Sequence, residues 1–429
     1  MSWSRLGWYM VLSGLALSST GCPPRQTQPI LEDKKDYGAS LPPGELALVK
    51  IGPEQYPDFG AGYEHRKGLE EAAVHSLEFL SRPSSRRSFP YGDITHERAV
   101  ASVEAFLQTL RAAGSGEELD SRIRQRFEVY MSRGCDEKGT VLFTGYYRPI
   151  FDARLRSEGE FRYPLYRQPP DLEHNEVTQR YQRKGGGPYL SRIEIEKGGL
   201  AGQGLELCYL KDRFETYIVT VQGSGRLRMA DGALLDIGYH GDNGYDYTSI
   251  GQDLVKRGLI TPEQLSLQGL IQFFRQHPDK LDEAMSLNKR YVFFTPRPGG
   301  PFGSLNVPVT PFRSIATDKQ VFPRACPAFL VTQLPARTQS GVICNHSYSG
   351  FAMDQDTGGA IRAAGRCDVF LGTGPEIGEL AGRTLAEGKL YYIFVKQDGG
   401  LGESSAGASA TAGRPSGSEA ELPPSSDTH

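Results

Sequence analysis

The sequence predicts a mainly β protein with an α-helical part near its N-terminus. Two observations predict it. Gly (51) and Pro (28) together are roughly 18% of the 429 residues, against about 12% in an average protein, which points to turns and short strands rather than a helix bundle. The apolar residues also change from helical spacing to short strand-like runs near residue 140. A hydrophobic content of 38% with 23% charged residues supports a packed core and excludes global disorder. At about 150 residues per domain the length allows up to about three domains. The 48 basic and 51 acidic residues give a net charge of −3, without the strongly basic balance of a nucleic-acid binder.

The first element is a signal. Arg5 forms a thin positive region and residues 6–17 an apolar run. That run is shorter than the roughly 20 residues a spanning helix needs, but it suits a secretory signal. Ser19, Thr20 and Gly21 then precede Cys22, which resembles a bacterial lipobox, with Ser19 where Leu is usual. The alternative is an ordinary signal cut near Gly21. Acyl chains on Cys22 contribute about 0.8 kcal/mol per buried CH₂ and would hold the protein at a membrane face. Pro23, rather than Asp, resembles the outer-membrane destination. Residues 23–60 are Pro-rich and read as a tether. Residues 397–429 have almost no large apolar side chains and read as a disordered tail. Cysteines stand at 22, 135, 208, 326, 344 and 367. With Cys22 lipidated, five remain and at least one is unpaired. There is no CxxC, and the spacings do not suggest zinc.

Residues 66–132 read as helices. Leu69, Ala73, Leu77 and Leu80 recur at helical spacing, as do Ala99, Val103, Phe106 and Leu110. Ser115 with Glu118 forms a capping box before Leu119, Ile123 and Phe127. Val141, Leu142 and Phe143 start a strand, and short strands dominate from 140 to 245, including 215–221 (ETYIVTV). A helical island follows at 249–257. A second begins at Thr261, Pro262, Glu263 and Gln264, a capping box with Pro at the first helical position. Strands return at 291–294 and run to 391–395. No internal repeat is present.

The chain has no HExxH, no Walker A loop and no GxSxG elbow, and its eight His lack ligand spacing. Neither metal nor cofactor is called for. What it has is a set of Gly-flanked polar segments: FTGYYRP (143–149), VQGSGRL (221–227), DGALLDIGYHGDNGYDYTSIG (231–251), SIATD (314–318) and DQDTGGAIRAAGRCDVFLG (354–372). Such segments let the backbone approach a ligand and present Tyr, Gln and Asn, which suit sugars. Asp356 follows an apolar stretch. A carboxyl beside apolar groups and near another carboxylate has the raised pKa that a general acid needs. If 351–356 is a strand, Asp354 and Asp356 share a face and only one ionises easily. The plainer role for Asp356 is to cap the Gly-Gly turn.

These segments, in this order, resemble the membrane-bound lytic murein transglycosylase A (MltA) family with its C-terminal three-aspartate (3D) domain. FTGYYRP, FRYPLYRQPP (161–170), YLSRIE (189–194), the VQGSG block with Asp231, Gly232, Asn243, Gly244 and Tyr247, RYVFF (290–294), 313–318 and the DxGGAI block with Asp368 match the family over residues 140–396. The resemblance implies a double-psi β-barrel domain carrying three aspartates and a smaller inserted β-barrel domain, with the substrate groove between them. On this plan residues 61–155 with 295–396 form the catalytic domain, and 156–294 the insert. It further implies a peptidoglycan lytic exotransglycosylase, a lyase that cuts between N-acetylmuramic acid and N-acetylglucosamine without water and leaves 1,6-anhydro ends. In that cycle one carboxyl acts as acid and then base, where ordinary glycosidases use two. The family's catalytic aspartate falls on Asp356. Asp318 and Asp368 complete the trio, and Thr144, Tyr146, Gln222 and Ser224 would line the glycan groove. The implied partners are peptidoglycan strands and, through a lipid on Cys22, the periplasmic face of the outer membrane. The alternatives are a non-catalytic peptidoglycan-binding lipoprotein and a two-carboxylate muramidase. Four positions depart from the family pattern: Asp354 for a small residue, Ala363 and Ala325 for Gly, and Arg148 for an acid.

Overall fold

A computed structural model describes residues 35–178, 180–261, 264–265, 267–358 and 361–397. The signal with Cys22, Pro262 and Glu263 of the second capping box, Gly359 and Ala360, and the tail from 398 lie outside the described residues.

The described chain enters through β1 (Leu48–Lys50), which pairs antiparallel with β2 (Phe127–Ser132). The segment read as a tether to residue 60 is therefore part of the fold in its second half. Ala47 and Phe59 are fully buried there, so this stretch has apolar anchors that its Pro content masks. Between the two strands lie α1 (Leu69–Leu80), α2 (His96–Ala112) and α3 (Gly116–Arg126). Thr95 caps α2 by accepting the Arg98 N–H at 3.1 Å, and Ser115 caps α3 by accepting the Glu118 N–H at 3.2 Å. Phe127, expected in a helix, opens β2 instead.

β3 (Val141–Arg148) then begins a closed ring. Its other members arrive only after residue 313: β12 (Ser314–Ala316), β13 (Pro327–Arg337), β14 (Ile343–Asp356), β15 (Arg366–Thr373) and β16 (Leu385–Val395). The order is β3-β15-β12-β14-β13-β16, and β16 pairs back onto β3, so six strands close into a barrel. β12 with β14 and β15 with β3 are parallel; the other pairs are antiparallel. Phe143, Leu330, Ala352, Val369 and Tyr392 belong to one core cluster. Phe329, Phe351 and Met353 join a second cluster with Phe106 and Val103 of α2. The alternation along β14 thus gives one set of side chains to each core. Helix α9 (Pro375–Arg383) joins β15 to β16.

The chain between β3 and β12 builds a second sheet. β4 (Ile150–Arg154), β5 (Tyr163–Tyr166), β8 (Glu206–Leu210), β9 (Ser224–Arg228), β10 (Leu234–Asp242) and β11 (Val292–Pro296) stand in the order β11-β10-β9-β4-β8-β5. The two edge strands meet where the Tyr291 hydroxyl donates to the Pro164 carbonyl at 3.3 Å. A hairpin of β6 (Leu172–Asn175) and β7 (Arg180–Arg183) stands apart. Helices α4 (Arg192–Glu194), α5 (Arg213–Gln222), α6 (Ile250–Lys256), α7 (Leu267–Gln276) and α8 (Leu281–Leu287) also fall within this segment. β4 starts at Ile150, so the six-stranded sheet takes up the chain just after Pro149, earlier than the expected domain edge at 155.

One local expectation is overturned. ETYIVTV is helix α5, not a strand. Its β-branched residues favour strands, but the ends decide otherwise. Asp212 accepts the Glu215 N–H at 2.9 Å, and Gly223 closes the helix in the left-handed region at φ 69°. Phe214, Tyr217 and Ile218 then fall at helical spacing and are buried.

Candidate active site

Strand register assembles the site. Asp356 opposes Ala316, Ala316 opposes Asp368, and Asp368 opposes Thr144. Four adjacent strands therefore carry these residues in one row across the barrel, with a small Ala between the two aspartates. Tyr146 lies two residues further along β3.

Asp356 ends β14 and is half-buried. Its Oδ2 accepts the Tyr146 hydroxyl at 2.8 Å. Its Oδ1 accepts the backbone N–H groups of Ser304 and Thr357, both at 2.8 Å. Ser304 can come this close because Gly303 precedes it: a Cβ there would stand 2.7 Å from the Gln355 carbonyl oxygen and 3.2 Å from Asp356 Cγ. The strand end is pinned to β12 by the Thr317 N–H donating to the Asp356 carbonyl at 3.2 Å, and by the Thr357 hydroxyl donating to the Thr317 carbonyl at 2.8 Å. Burial pushes the Asp356 carboxyl above the ordinary range; the two amides, Tyr146 and the Lys319 charge pull against it. Burial and the Asp356 charge push the Tyr146 phenol well up, so it stays a donor.

Asp368 is also raised, to about 6, chiefly by burial; the Arg366 guanidinium opposes the rise and the Asp356 charge adds to it. Among the described residues, Asp368 Oδ1, Thr144 Oγ1 and Arg366 Nε are buried without a hydrogen-bond partner. Thr144 and Asp368 sit opposite each other in the row next to Asp356, and their open hydrogen-bonding capacity marks a place where a polar ligand group fits.

Asp318 has a different position. It is 4% exposed, and its carboxylate accepts the Gln320 N–H at 3.0 Å and the Ala363 N–H at 2.8 Å. It ties the turn after β12 to the loop before β15. Ala363 and Ala325 sit at φ 64° and 62°, in the left-handed region where Gly is at ease and Ala carries a strain of roughly 1–2 kcal/mol. Gln222 ends α5, exposed, and Ser224 opens β9, buried; among the described residues neither bonds to the three aspartates.

Asp354 does not share the acid's environment. β14 shifts register against β12 between the partners of Asp354 and Asp356. Asp354 is fully buried and accepts Thr317 Oγ1 and the Tyr392 hydroxyl, both at 2.7 Å, and Lys319 Nζ. Gln355 points the other way and donates to the Ala72 carbonyl at 2.6 Å and Ser76 Oγ at 3.0 Å on α1. Sequence reasoning missed Ser304, which acts through its backbone, and Lys319, since a lysine beside an aspartate reads as surface. Arg148 links the sheets: it donates to the Gly225 carbonyl and, at 2.7 Å, to Asp236.

The MltA specific insert domain matches residues 142–295, and the 3D domain matches residues 313–394. Membrane-bound lytic murein transglycosylase A of Escherichia coli (strain K12) is 32% identical over 294 residues, which cover 67% of this chain and 74% of that protein. The chain belongs to the MltA family. The enzyme of the same name from Vibrio cholerae is 32% identical over 263 residues, 61% of this chain and 67% of that protein. Among solved structures, the membrane-bound lytic murein transglycosylase from Agrobacterium tumefaciens has a TM-score of 0.66 at 26% identity, covering 81% of this chain and 98% of that one. E. coli MltA with bound chitohexaose has a TM-score of 0.60 at 26% identity, covering 85% and 98%. In this chain the closed six-stranded barrel carries Asp318 just after β12, Asp356 at the end of β14 and Asp368 on β15, and the second sheet is inserted between β3 and β12. Among the described residues no helix is long and apolar enough to cross a membrane.

Proposed function

We propose that this chain is a peptidoglycan lytic transglycosylase in which Asp356 is the only acid and base. Its relatives are lytic murein transglycosylases, and one of them was solved with a chitohexaose bound. The observation that carries the residue assignment is the double character of the Asp356 surroundings. Burial favours the protonated carboxyl, which can give its proton to the glycosidic oxygen. The Tyr146 hydroxyl and the two amides are already placed to hold the carboxylate that results. That carboxylate then takes the proton of the muramyl C6 hydroxyl as its oxygen attacks C1, and a 1,6-anhydro end is left. Bonds and protons balance: the leaving sugar gains the proton that Asp356 gives, and Asp356 recovers one from C6–OH. Thr144 and Asp368, with their unpaired atoms, hold the sugar beside the acid. Tyr146 positions Asp356, and Asp318 fixes the loop. Gln222 and Ser224 line the groove from the inserted sheet. In this reading the catalytic domain is the barrel with its N-terminal helices, and the insert is the six-stranded sheet.

The test is digestion of purified peptidoglycan by the full chain in detergent, wild type and Asp356→Asn, with mass spectrometry of the released fragments. We expect ends lighter by one water from the wild type and a loss of at least about a thousandfold in the variant. Reducing ends would point to a muramidase. Binding without release would point to a binding protein.

These relatives are membrane-bound lytic murein transglycosylases by name, and we propose that this chain is likewise held at the periplasmic face of the outer membrane, through acyl chains on Cys22. A mature N-terminus that carries no acyl mass would remove that anchor.

A further inference from the structure

The barrel holds a second pair of charges that the reaction does not use. Asp354 is fully buried and the Lys319 side chain is 6% exposed. Lys319 Nζ donates to Asp354 Oδ1 and, at 2.9 Å, to Thr317 Oγ1, which itself donates to Asp354 Oδ2. The Tyr392 hydroxyl donates to the same Oδ2 at 2.7 Å. The cluster is continuous with the acid, because the Thr317 backbone N–H and C=O hold the end of β14 at Asp356 and Thr357.

An ammonium sealed into a barrel stabilises any carboxylate near it. Alone, Lys319 would draw Asp356 toward its ionised form and weaken it as an acid. Asp354 is the countercharge. We propose that Lys319 and Asp354 act as a matched pair that keeps the net charge beside Asp356 near zero, with Asp354 a positioning residue for the acid. This inference rests on Asp356 being the acid.

Lys319 faces both carboxyls, and the half-buried Arg324 adds a second cation on the Asp354 side. Asp356 meets Tyr146 from β3, Asp368 from β15 and Lys319 from the turn after β12. Asp354 meets Lys319, Arg324 and Cys326 from the segment between β12 and β13, Cys367 from β15 and Tyr392 from β16. Burial drives both cysteines and Tyr392 upward, so all three stay neutral. Burial pulls Lys319 down and lifts Asp354, and each opposes the shift of the other.

The experiment is the pH profile of anhydro-end release by the full chain in detergent. Activity requires protonated Asp356, so it falls as pH rises through the acid's pKa, and the position of that alkaline limb is the readout. Asp354→Asn keeps the shape and leaves Lys319 uncompensated; the limb should move down by about one pH unit. Lys319→Met leaves Asp354 uncompensated; the limb should move up by a similar amount. The double variant should return to within a few tenths of the wild type. A purely structural role would lower rate or melting temperature without opposite shifts. Folded single variants that shift in the same direction, or not at all, overturn the inference. Side-chain NMR of the wild type reads it without any variant: Lys319 should stay protonated throughout the fall in activity, and its deprotonation there overturns the pair. If instead Asp356→Asn keeps full activity, the acid assignment has failed, which is a different result.

Discussion

Asp236 on the inserted sheet and Asp356 on the barrel are both half-buried carboxylates, and the protein treats them in opposite ways. Asp236 accepts Arg148 Nη2, Arg226 Nε and Arg226 Nη2, each at 2.7 Å. Burial would raise it, but the two guanidinium groups outweigh that and hold it below the usual range. Asp152 on the same sheet is likewise lowered, with Arg228 Nε at 2.7 Å as the leading cause. Asp356 accepts only neutral donors, and burial wins. Asp236 and Asp152 hold structure because a delocalised cation answers each one. On the barrel, burial lifts Asp356 and Asp368 above the usual range, and the hydroxyls and amides around them oppose it only in part. Whether a guanidinium hydrogen-bonds the carboxyl, more than how deeply it is buried, separates Asp236 and Asp152 from Asp356.

Replacing each carboxyl by its amide is the strongest way to break that contrast. Asp236→Asn leaves Arg148, whose side chain is 3% exposed, and Arg226 without their shared anion. An uncompensated buried charge costs about 3–5 kcal/mol. Burial already pulls Arg148 down to about 10, and the Asp236 charge opposes that fall. We therefore expect a loss of that size in urea denaturation at pH 7. Asp356→Asn should lose little stability or gain some, since burial disfavours the charged form of the carboxyl that the amide replaces. Equal losses from the two variants would end the distinction.

How much of this was legible in the sequence differs between the regions too. The row of Thr144, Asp356 and Asp368 was readable, because each residue sits in a Gly-flanked motif and the motifs come in the family's order. The closing of the ring was not, because β3 and β16 are about 240 residues apart and no local signal pairs them. Asp354 stood out as a departure, but the shared-face argument could not foresee the register shift that sends it inward, nor Lys319 waiting there. Helix α5 was misread because β-branched residues outvoted an Asp cap and a left-handed Gly223 that take effect only at its ends. Ala363 and Ala325 read as lost glycines. The structure keeps both backbones in the glycine conformation, so the local shape outlasted the residue.

The smaller test sharpens the comparison through the sign of the pH dependence. Asp368 in the folded barrel is raised to about 6, from about 3.9 in an unfolded chain. The folded state therefore binds the proton more tightly. The stability tied to this group is fully present below about pH 4 and is lost as pH rises through about 6. Asp236 has the reverse sign: its folded pKa is depressed, so its contribution is present above about pH 4 and is lost as pH falls. Asp368→Asn removes the first titration and leaves the second. Between pH 4.5 and pH 7.5 the wild type should lose on the order of 1–3 kcal/mol more than this variant, measured by urea denaturation at both pH values. A difference between the two proteins that stays constant across that range would mean that Asp368 is ionised in the fold throughout. It would then stand with Asp236 among the carboxylates held by their cations, with Arg366 as its partner.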